Sequence, residues 1–431
     1  MKIFIVGSGG REHAIAWACS RSKLKPNITV AQGNGGTWQV AKNVDIPVDD
    51  IAQLEDYVRA ERFDLTIIGP EAPAIAGLAD RLTERGFRVF GPSANAARIE
   101  GSKAFSKRLM VEAGVPTAQF EIFKDKPRAD DYIQLMRAPI VVKASGIAAG
   151  KGAIVCKSVA EALLATKQIF DERAFGSAGD EVVIEAFSKG REVSMMALVD
   201  GTDFLLLPSS RDHKRIFDGN RGLNTGGMGA YSPVEDITAE MFQKLAEDVL
   251  PRLLKGLENA GSPFRGAIYP GLMVDGDDFI VLEVNSRFGD PEAEVLLPML
   301  NFDLLEAMAE IAEGSFSQWM KRGGMEPFDG LYAKKDGFSA TIVAAAPGYP
   351  GDYPKGATIT GIPEENDNLI PFHAGTKRVN SRLVTNGGRV LMITGLGKTL
   401  HEALDTAYDG ISQVKFEGIQ FRKDIGKQGE Y

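Results

Sequence analysis

The first hundred residues contain four short apolar runs, and each run leads into a loop with glycine: KIFIVG, NITVAQG, DLTIIGPE and FRVFGPS. The segments between the runs have helical periodicity. Buried strands that alternate with helices are typical of a parallel sheet covered by helices on both faces. The pattern therefore predicts a doubly wound α/β domain over residues 1–101, with ligand loops at the carboxyl ends of its strands.

The first of these loops is GSGGREH, residues 7–13. A dinucleotide fingerprint needs a third glycine at position 12, where this chain has Glu12, so the G-x-G-x-x-G interpretation fails. What remains is a glycine turn that enters a helix, with Arg11 beside it. Backbone N–H groups at a helix N-terminus suit a phosphate or a carboxylate. A tight turn without any ligand is the open alternative.

From residue 102 the pattern changes. GSKAFSKRLMVEAG predicts an amphipathic helix with Phe105, Leu109, and Val111 or Glu112 near one stripe. Strand EVVIEAF and hairpins at 191–208 and 264–285 follow. A helix between the hairpins has an apolar residue at every fourth position and a predicted kink at Pro251: Met241, Leu245, Val249, Leu253 and Leu257. The pattern predicts a central α+β domain with antiparallel sheets over residues 102–322, including a subdomain over about 120–187.

Residues 323–431 form the third predicted section, a small β-rich α+β domain that begins with the linker GGMEPFDG. Its predicted strands are SATIVAAA, ATITGI, LIPFHAG and RVLMITG, and HEALDTAYDGISQV is its predicted helix.

The stretch VVKASGIAAGKGAIV, residues 141–155, is not a P-loop. Three residues, not four, separate Gly146 from Gly150, and Gly152 stands where a P-loop has serine or threonine. The β-prone runs on both sides predict a glycine-rich flap between antiparallel strands. Such a flap can close over phosphates with its backbone N–H groups. A plain flexible hairpin tip is the alternative.

The motif VLEVNSRFGDPE, residues 281–292, predicts a metal site. Residues two apart on a strand share a face, so Glu283 and Asn285 point one way while Leu282 and Val284 point into the core. Mg²⁺ takes one or two protein carboxylates and completes its shell with water and substrate phosphates. The alternative is an exposed hairpin face that carries two polar residues.

Three lysines are candidates for nucleotide phosphates. They are Lys103 at a helix start, Lys143 at the end of the apolar run PIVVK, and Lys214 in SSRDHKR. We expect Lys143 to project into a cleft. Glu185 and Glu192 suit an adenine edge and ribose hydroxyls, although two exposed glutamates are the plain alternative. The loop NTGGMGAYSP, residues 224–233, can supply backbone donors near developing negative charge.

Composition limits the remaining choices. A net charge of −9 argues against nucleic acid as the main partner. Two cysteines, Cys19 and Cys156, indicate buried thiols in a reducing compartment. The N-terminus does not resemble a signal peptide and no apolar run is long enough to span a bilayer, so we expect a cytoplasmic protein that does not bind membranes.

Together these motifs resemble the ATP-grasp superfamily and, within it, the phosphoribosylamine–glycine ligase family. GSGGREH, GPEAP, GSKAF, SRDHKR, NTGGMGAYSP, NSRFGDPE, PGYPGDY, FHAGTK, TNGGRVL and FRKDIG follow one another in that family's order and cover nearly the whole chain. The resemblance implies ligation of glycine to 5-phosphoribosylamine through a glycyl phosphate, giving glycinamide ribonucleotide, ADP and phosphate for purine biosynthesis. It also implies ATP and Mg²⁺ or Mn²⁺ as cofactors, small molecules as the only substrates, and a monomer.

The resemblance further implies a role for particular residues. Catalytic roles fall to Lys214 and Arg287, and the metal to Glu283 and Asn285. The nucleotide would be held by Lys103, Lys143, Gly146, Gly150, Lys151, Gly152, Glu185, Ala186, Phe187 and Glu192. The other substrates would be held by Gly7, Gly9, Gly10, Arg11, Asp212, Arg287 and Asp290. The sequence has YPGLM where many superfamily members carry a further acidic ligand, so the ligands of a second metal ion stay open.

Two other functions compete with this interpretation. The chain could be another ATP-grasp carboxylate–amine ligase or carboxylase that acts on a different acid. A non-catalytic nucleotide sensor is the second alternative, against which stand the three phosphate lysines and the Glu283–Asn285 pair.

Overall fold

The structure is a computed structural model that describes residues 1–148, 152–235, 237–325 and 335–427. Its N-terminal section is a five-stranded parallel sheet in the order β3-β2-β1-β4-β5. The strands are β1 Lys2–Gly7, β2 Asn27–Gln32, β3 Lys42–Val44, β4 Leu65–Ile68 and β5 Val89–Phe90. The helices are α1 Gly10–Ser20, α2 Ile51–Glu61, α3 Glu71–Ile75, α4 Leu78–Thr83 and α5 Ala94–Gly101.

This sheet confirms the predicted doubly wound pattern. The four apolar runs form β1, β2, β4 and β5, while the short edge strand β3, largely polar and exposed, was not predicted. The strand order reverses at β1, which pairs with β2 on one side and β4 on the other. The loop that follows Gly7 therefore lies at the topological switch point, where open α/β sheets bind their ligands.

The central section begins with the part that carries the predicted flap. Its elements are α6 Lys103–Glu112, β6 Phe120–Phe123, α7 Lys126–Met136, β7 Ile140–Ala144, β8 Ala153–Cys156, α8 Val159–Phe170 and β9 Val182–Ala186. The strands form an antiparallel sheet in the order β6-β9-β7-β8. The predicted strand pair around the flap is confirmed, because β7 pairs with β8 from Ile140–Cys156 to Lys143–Ala153.

The remaining central elements build most of a second sheet. They are β10 Arg191–Asp200, β11 Asp203–Asp212, β12 Arg215–Phe217, β13 Arg221–Asn224, β14 Gly229–Ser232, α9 Ala239–Lys244, α10 Leu250–Asn259, β15 Arg265–Asp275, β16 Asp278–Asn285, α11 Glu292–Leu296, α12 Leu304–Glu313 and α13 Phe316–Gly323. Both predicted hairpins are confirmed as β10–β11 and β15–β16.

The last section contributes β17 Phe338–Ala345, β18 Leu369–His373, β19 Thr376–Val379, β20 Arg382–Thr385, β21 Arg389–Gly397 and α14 Leu400–Gln413. Three of its strands extend the central sheet, whose order is β16-β15-β10-β11-β14-β17-β21-β18. The join is the antiparallel pair of β14 with β17. The predicted fold class is confirmed, and the section limits at 101 and 322 stay predictions.

Two predictions for the last section differ from the structure. ATITGI forms only isolated bridges at Thr358 and Thr360, because its partners there are single residues of β20 and of the segment after α14. The hairpin β19–β20 was missed, since its strands are short and largely polar. Most of the predicted linker GGMEPFDG, residues 326–330, lies outside the described residues.

The eight-stranded sheet is covered on both faces, which fixes the positions of the surrounding sections. Along β10, Met195, Ala197 and Val199 belong to the core that includes α10 and α14. Met196 and Leu198 belong to the opposite core, together with α1, α12 and α13. The N-terminal sheet shares that second core through Ile3 and Ile5 of β1. The N-terminal sheet is thereby held against the central section.

Three local details differ from the sequence predictions. The predicted helix stripe at 241–257 is buried, but a π-helical turn over Leu245–Val249 precedes Pro251, which lacks an N–H group. In α6 the predicted Val111 is exposed, and Lys107 and Met110 are buried instead. A bulge opposite Gly271–Leu272 shifts β16, so that Val281, not the predicted Leu282, shares the core with Val284.

Both cysteines are free and buried, as predicted. Among the described helices, none is both long and apolar enough to cross a membrane.

Candidate active site

Lys103 links the start of α6 to the flap. Ser102 caps the helix by accepting a hydrogen bond from the Phe105 backbone N–H. The Lys103 backbone N–H donates to Ser145 O at 2.7 Å, and its Nζ donates to Gly146 O at 3.1 Å. Burial lowers the pKa of Lys103, although Glu283 works in the opposite direction. The predicted lysine thus lies at the base of the predicted flap.

The flap is described on both sides of its tip. Gly146 N donates to Ala178 O at 2.9 Å, and Gly152 O accepts from Ala144 N at 2.9 Å. Gly150 and Lys151, which were predicted to hold the nucleotide, lie outside the described residues.

Lys143 is buried rather than free in the cleft. Its Nζ forms an ion pair with Glu185 Oε1, and the other oxygen of Glu185 pairs at 2.6 Å with Lys107. Burial raises the pKa of Glu185, but the two lysines more than offset this, so its pKa is lowered overall. Lys107 was missed by the sequence analysis. Its position one helical turn after Lys103 could have indicated that the two lysines share a face.

The other predicted hinge residues follow Glu185 at the end of β9. Ala186 donates its backbone N–H to Gln119 O at 2.9 Å. Phe187, one residue beyond the strand, is exposed and can contact a planar base.

Lys214, Glu192 and Glu283 meet at the mouth of the cleft. Lys214 Nζ lies 2.5 Å from Glu192 Oε2 and 3.8 Å from Glu283 Oε1. Their side chains are 39%, 46% and 38% exposed, so the three charges remain accessible to a ligand. Burial raises the pKa of Glu283, yet Lys214, Lys143 and Lys103 together lower it to about 2.

Glu283 and Asn285 lie on β16 as predicted, and they offer the oxygen donors that a hard divalent cation prefers. Asn285 is buried, and its Nδ2 makes no hydrogen bond with the described residues. No group of three or more His, Cys, Asp or Glu side chains among the described residues could hold a metal. A site that relies on one carboxylate, one amide oxygen and substrate phosphates fits this donor set.

Two carboxylates, Glu12 and Asp290, lie next to the loop at the start of α1. Glu12 Oε2 accepts from the backbone N–H of Gly9 at 2.7 Å, and Asp290 Oδ2 lies 3.5 Å from the Arg11 nitrogen. Gly7 has a φ of +138°, a conformation that favours glycine. A Cβ on Gly10 would contact the carboxylate of Glu294. The residues predicted to hold a substrate are therefore assembled, but acidic groups already approach this helix N-terminus.

Arg11, predicted to lie beside that ligand, is buried between sections. Its Nε pairs with Glu12 Oε1 at 2.5 Å, and Nη1 donates to Phe288 O at 3.1 Å. The residue that breaks the dinucleotide fingerprint therefore both caps the loop and neutralises Arg11.

Arg287 connects the central sheet to the N-terminal helices. Its Nε pairs with Glu71 at 2.9 Å, its Nη2 pairs with Glu100 at 2.9 Å, and its Nη1 donates to Phe288 O at 3.0 Å. Glu100 also accepts from the backbone and hydroxyl of Ser286. The sequence analysis assigned no role to Glu71 or Glu100, although Glu71 lies in the motif GPEAP.

Arg389 of β21 is a further residue that the sequence analysis missed. Its Nη1 donates to Gly226 O at 2.5 Å and to Asp290 O at 2.7 Å, and its Nη2 pairs with Asp290 Oδ1 at 3.1 Å. Arg389 thus ties the glycine-rich loop at 224–233 to the predicted substrate residue Asp290. Its motif, TNGGRVL, contributed to the resemblance, but no local pattern marks this arginine.

Asp212 lies next to this loop at the end of β11. Its Oδ1 is buried and makes no hydrogen bond with the described residues. Burial and the neighbouring Glu292 raise its pKa. An acidic group in such surroundings gains from a cationic partner.

The geometry thus has two halves. One half gathers lysines and a metal-type carboxylate near the described base of the flap, and the other gathers arginines and carboxylates at the carboxyl end of the parallel sheet. Such an arrangement can bind a nucleotide triphosphate next to a small substrate with both charged and polar groups.

Comparison with known proteins also indicates an ATP-dependent enzyme. Three family models match: phosphoribosylglycinamide synthetase N domain over residues 1–100, its ATP-grasp (A) domain over 101–293, and its C domain over 339–428. A phosphoribosylamine–glycine ligase from Nostoc sp. is 46% identical over 431 residues, with 99% of each chain covered.

Solved structures agree with these matches. The crystal structure of phosphoribosylamine–glycine ligase from Thermotoga maritima is 37% identical, with a TM-score of 0.85 over 98% of this chain and 100% of that chain. The biotin carboxylase domain of Hydrogenobacter thermophilus 2-oxoglutarate carboxylase shares the fold, with 17% identity and a TM-score of 0.75 over 97% of this chain and 91% of that chain. The resemblance seen in the motifs is therefore confirmed, and the chain belongs to the phosphoribosylglycinamide synthetase family of ATP-grasp ligases, which use ATP with a divalent metal ion.

Proposed function

We propose that this chain ligates glycine to 5-phosphoribosylamine in the cleft between the flap and the end of the parallel sheet. The observation that carries the proposal is that Lys214 Nζ lies 3.8 Å from Glu283 Oε1, while Lys143 and Lys103 also lower the pKa of this carboxyl. Lysines from three separate elements around one metal-type carboxylate suit a nucleotide triphosphate with its divalent ion.

In this proposal the three lysines contact the ATP phosphates, and the flap that includes Gly146, Gly150, Lys151 and Gly152 closes over them. The hinge Glu185, Ala186 and Phe187 holds the adenine, and Glu192 binds the ribose hydroxyls. Lys214 exchanges its present partner Glu192 for phosphate oxygens, which the exposure of both side chains allows.

Glu283 and Asn285 would hold the divalent ion, Mg²⁺ or Mn²⁺, because both side chains are hard oxygen donors. When bound, the ion neutralises charge on the phosphates and polarises the group that is transferred.

Arg287 would bind the carboxylate of glycine. A guanidinium has five N–H donors. The pairs with Glu71, Glu100 and Phe288 O use one donor on each nitrogen, so Nη1 and Nη2 each keep one for a ligand. Asp212, whose Oδ1 makes no hydrogen bond with the described residues, would accept the glycine ammonium group.

The amine substrate would lie at the switch point, against Gly7, Gly9, Gly10, Arg11 and Asp290. A helix N-terminus by itself suits the phosphate of this substrate. The carboxylates of Glu12 and Asp290 at the same N-terminus favour a group with donors, so ribose hydroxyls or the amine itself are the better fit to Gly9.

The reaction then runs in two steps. An oxygen of the glycine carboxylate attacks the γ-phosphorus of ATP, and the β–γ bridging bond breaks to give glycyl phosphate and ADP. The phosphoribosylamine nitrogen attacks the acyl carbon, phosphate leaves with the bonding pair, and the nitrogen loses a proton as the amide forms. Lysines offset the charge on the transferring group, and flap closure excludes water from the acyl phosphate.

A coupled ADP-release assay tests this function, with phosphoribosylamine generated in situ and glycine present or absent. ADP release that requires both substrates supports the proposal. Turnover with bicarbonate or another acid in place of glycine would indicate the carboxylase or alternative-ligase function. Nucleotide binding without any substrate-dependent turnover would indicate a sensor.

A further inference from the structure

Three buried charged side chains lie behind the proposed adenine hinge. Lys107 and Glu185 are each 2% exposed and Lys143 is 9% exposed. Glu185 lies between the two lysines, with one carboxylate oxygen toward each. Lys143 comes from β7, Glu185 from β9 and Lys107 from α6, so the contact depends on tertiary packing alone.

The two lysines are not equivalent. Lys143 is the one that would contact ATP phosphates, whereas Lys107 is held away from the cleft. Lys107 Nζ donates to Thr117 Oγ1 at 2.7 Å, and Thr117 Oγ1 in turn donates to Val281 O at 2.7 Å. Lys107 thereby bridges the hinge strand β9 and the strand β16, which carries the proposed metal ligands.

The charges of this group explain why two lysines are needed. In the arrangement seen here Lys143 is paired with Glu185, and that pair must open before Lys143 reaches a phosphate. A buried carboxylate that loses its only cationic partner is strongly disfavoured. With Lys107 in place, Glu185 keeps one cation when Lys143 leaves, and the phosphates provide the new partner of Lys143.

We propose that Lys107 is a positioning residue for ATP binding: it holds Glu185 through an ion pair, so that Lys143 is free to move from Glu185 to the nucleotide phosphates. Lys107 itself does not contact the nucleotide. The inference rests on the proposed role of Lys143, and it adds a residue to which neither the motifs nor the comparisons assign a function.

The test measures equilibrium binding to the full-length chain of two ligands, β,γ-imido-ATP with Mg²⁺ and adenosine without phosphates. In Lys107→Met, affinity for the triphosphate analogue should fall about tenfold, the loss of one charge-assisted hydrogen bond. Adenosine affinity should stay within about twofold, because the base pocket does not depend on the release of Lys143. Equal loss for both ligands would mean that Lys107 only supports the fold, and it would overturn the proposal.

A second variant separates the charge argument from folding defects. In Lys107→Met/Glu185→Gln, no carboxylate remains to hold Lys143, so triphosphate affinity relative to adenosine should recover above that of the single variant. Recovery supports the proposal, and a double variant no better than Lys107→Met contradicts it. Arg108→Met is the matched control, because Arg108 is the next residue of α6 and is exposed. It should bind both ligands like the unmodified chain.

Lys143→Met shows which assumption has failed. If that variant binds the triphosphate analogue normally, the proposed nucleotide contact is wrong and the role of Lys107 falls with it. If Lys143→Met binds weakly while Lys107→Met binds normally, the nucleotide site stands and only the role of Lys107 is refuted.

Discussion

The two halves of the site hold their charges in different ways. In the nucleotide half, Lys214, Glu192 and Glu283 are paired with one another at the mouth of an open cleft and are all partly exposed. In the amine half, Arg11 is almost fully buried against Glu12, and Arg287 is clamped by Glu71 and Glu100. Both halves are charge-paired without any ligand, but Lys214 and its partners are more exposed than Arg11, Arg287 and their partners.

This difference indicates two modes of recognition. Exposed pairs cost little to exchange, so Lys214 can change from carboxylates to phosphates when a nucleotide enters. Buried pairs are expensive to break, so the arginines of the second half fix the relative positions of the N-terminal and central sections. We expect substitutions in the first half to affect chemistry, and those in the second half to affect substrate placement.

The largest effect should come from Glu283→Gln. The amide keeps the size of the side chain but removes a charge that the lysines maintain at any assay pH, since they lower the pKa of Glu283 to about 2. Turnover should fall about 10²- to 10³-fold, as for loss of one group that stabilises transition-state charge. The measurement is kcat at saturating Mg²⁺, with circular dichroism to verify folding.

Asp278→Asn is the control for this variant. Asp278 begins the same strand but is exposed and pairs with Lys244. It should retain full activity, and near-normal turnover in Glu283→Gln would refute the metal assignment.

Arg287→Lys tests the buried clamp. A lysine keeps the positive charge, but its single ammonium cannot reproduce the planar fork that reaches Glu71, Glu100 and Phe288 O together. We expect kcat/KM for glycine to fall about 100-fold, near the cost of removing a hydrogen-bonded partner from a buried charge. Affinity for an ATP analogue should not change, because the nucleotide binds in the other half.

The matched substitution is Arg265→Lys, at an arginine–aspartate pair with Asp200 outside the site. Arg265→Lys should leave both kcat/KM for glycine and the affinity for the ATP analogue unchanged. Equal losses for glycine and nucleotide in Arg287→Lys would show that the clamp supports the whole cleft instead of the amine half.

Gly9→Ala should have a smaller and more selective effect. Gly9 has a φ of −81°, so alanine fits the backbone, but its Cβ would lie 3.0 Å from Glu12 Oε2 and 3.1 Å from Asp290 Oδ2. The methyl group would displace these carboxylates and narrow the proposed sugar site. We expect KM for phosphoribosylamine to rise about tenfold, the equivalent of one weakened hydrogen bond. A rise in KM for ATP instead would assign the loop to the nucleotide.

The smallest effect concerns stability rather than activity. His13 of α1 and His373 of β18 form a buried contact behind the amine half, where His13 Nδ1 accepts from the His373 backbone N–H at 2.8 Å. Burial and the nearby His373 lower the pKa of His13 from 6.5 to about 3. Burial and the nearby Arg378 lower the pKa of His373 from 6.5 to about 4.

The sign of the pH dependence follows from these directions. Below pH 6.5 the two histidines are protonated in the unfolded chain but stay neutral in the folded chain. The free energy of unfolding is therefore highest above pH 6.5 and decreases as the pH falls toward 4. Each histidine contributes at most about 1.4 kcal/mol per pH unit. His373→Gln should therefore reduce the drop in apparent melting temperature between pH 7 and pH 5. His401→Gln, at an exposed position, should leave the drop unchanged. An unchanged drop in His373→Gln as well would contradict the linkage.

Local patterns in the sequence were enough to predict much of the fold. The alternation of apolar runs and helices predicted the parallel sheet, because the four predicted strands are buried over most of their length. The spacing of Gly146 and Gly150 and the glycine at position 152 argued against a P-loop. The β-prone runs on both sides predicted two strands, and β7 and β8 pair there. The shared face of Glu283 and Asn285 followed from the two-residue period of a strand, and it survived because the bulge lies before Glu283.

Tertiary structure decided which charges meet. Lys107 contacts Glu185, Arg287 contacts Glu71 and Glu100, and Arg389 contacts Asp290, although each partner lies far away along the chain. The same packing turned Arg11 inward to Glu12 and Phe288 O, and it placed Lys143 against Glu185 instead of in the open cleft. Periodicity states which side of its own helix or strand a side chain occupies, because backbone geometry repeats locally. It does not predict which distant element covers that side. That is decided only when the sheets and helices pack, because buried charges are then stabilised by partners from elsewhere in the chain.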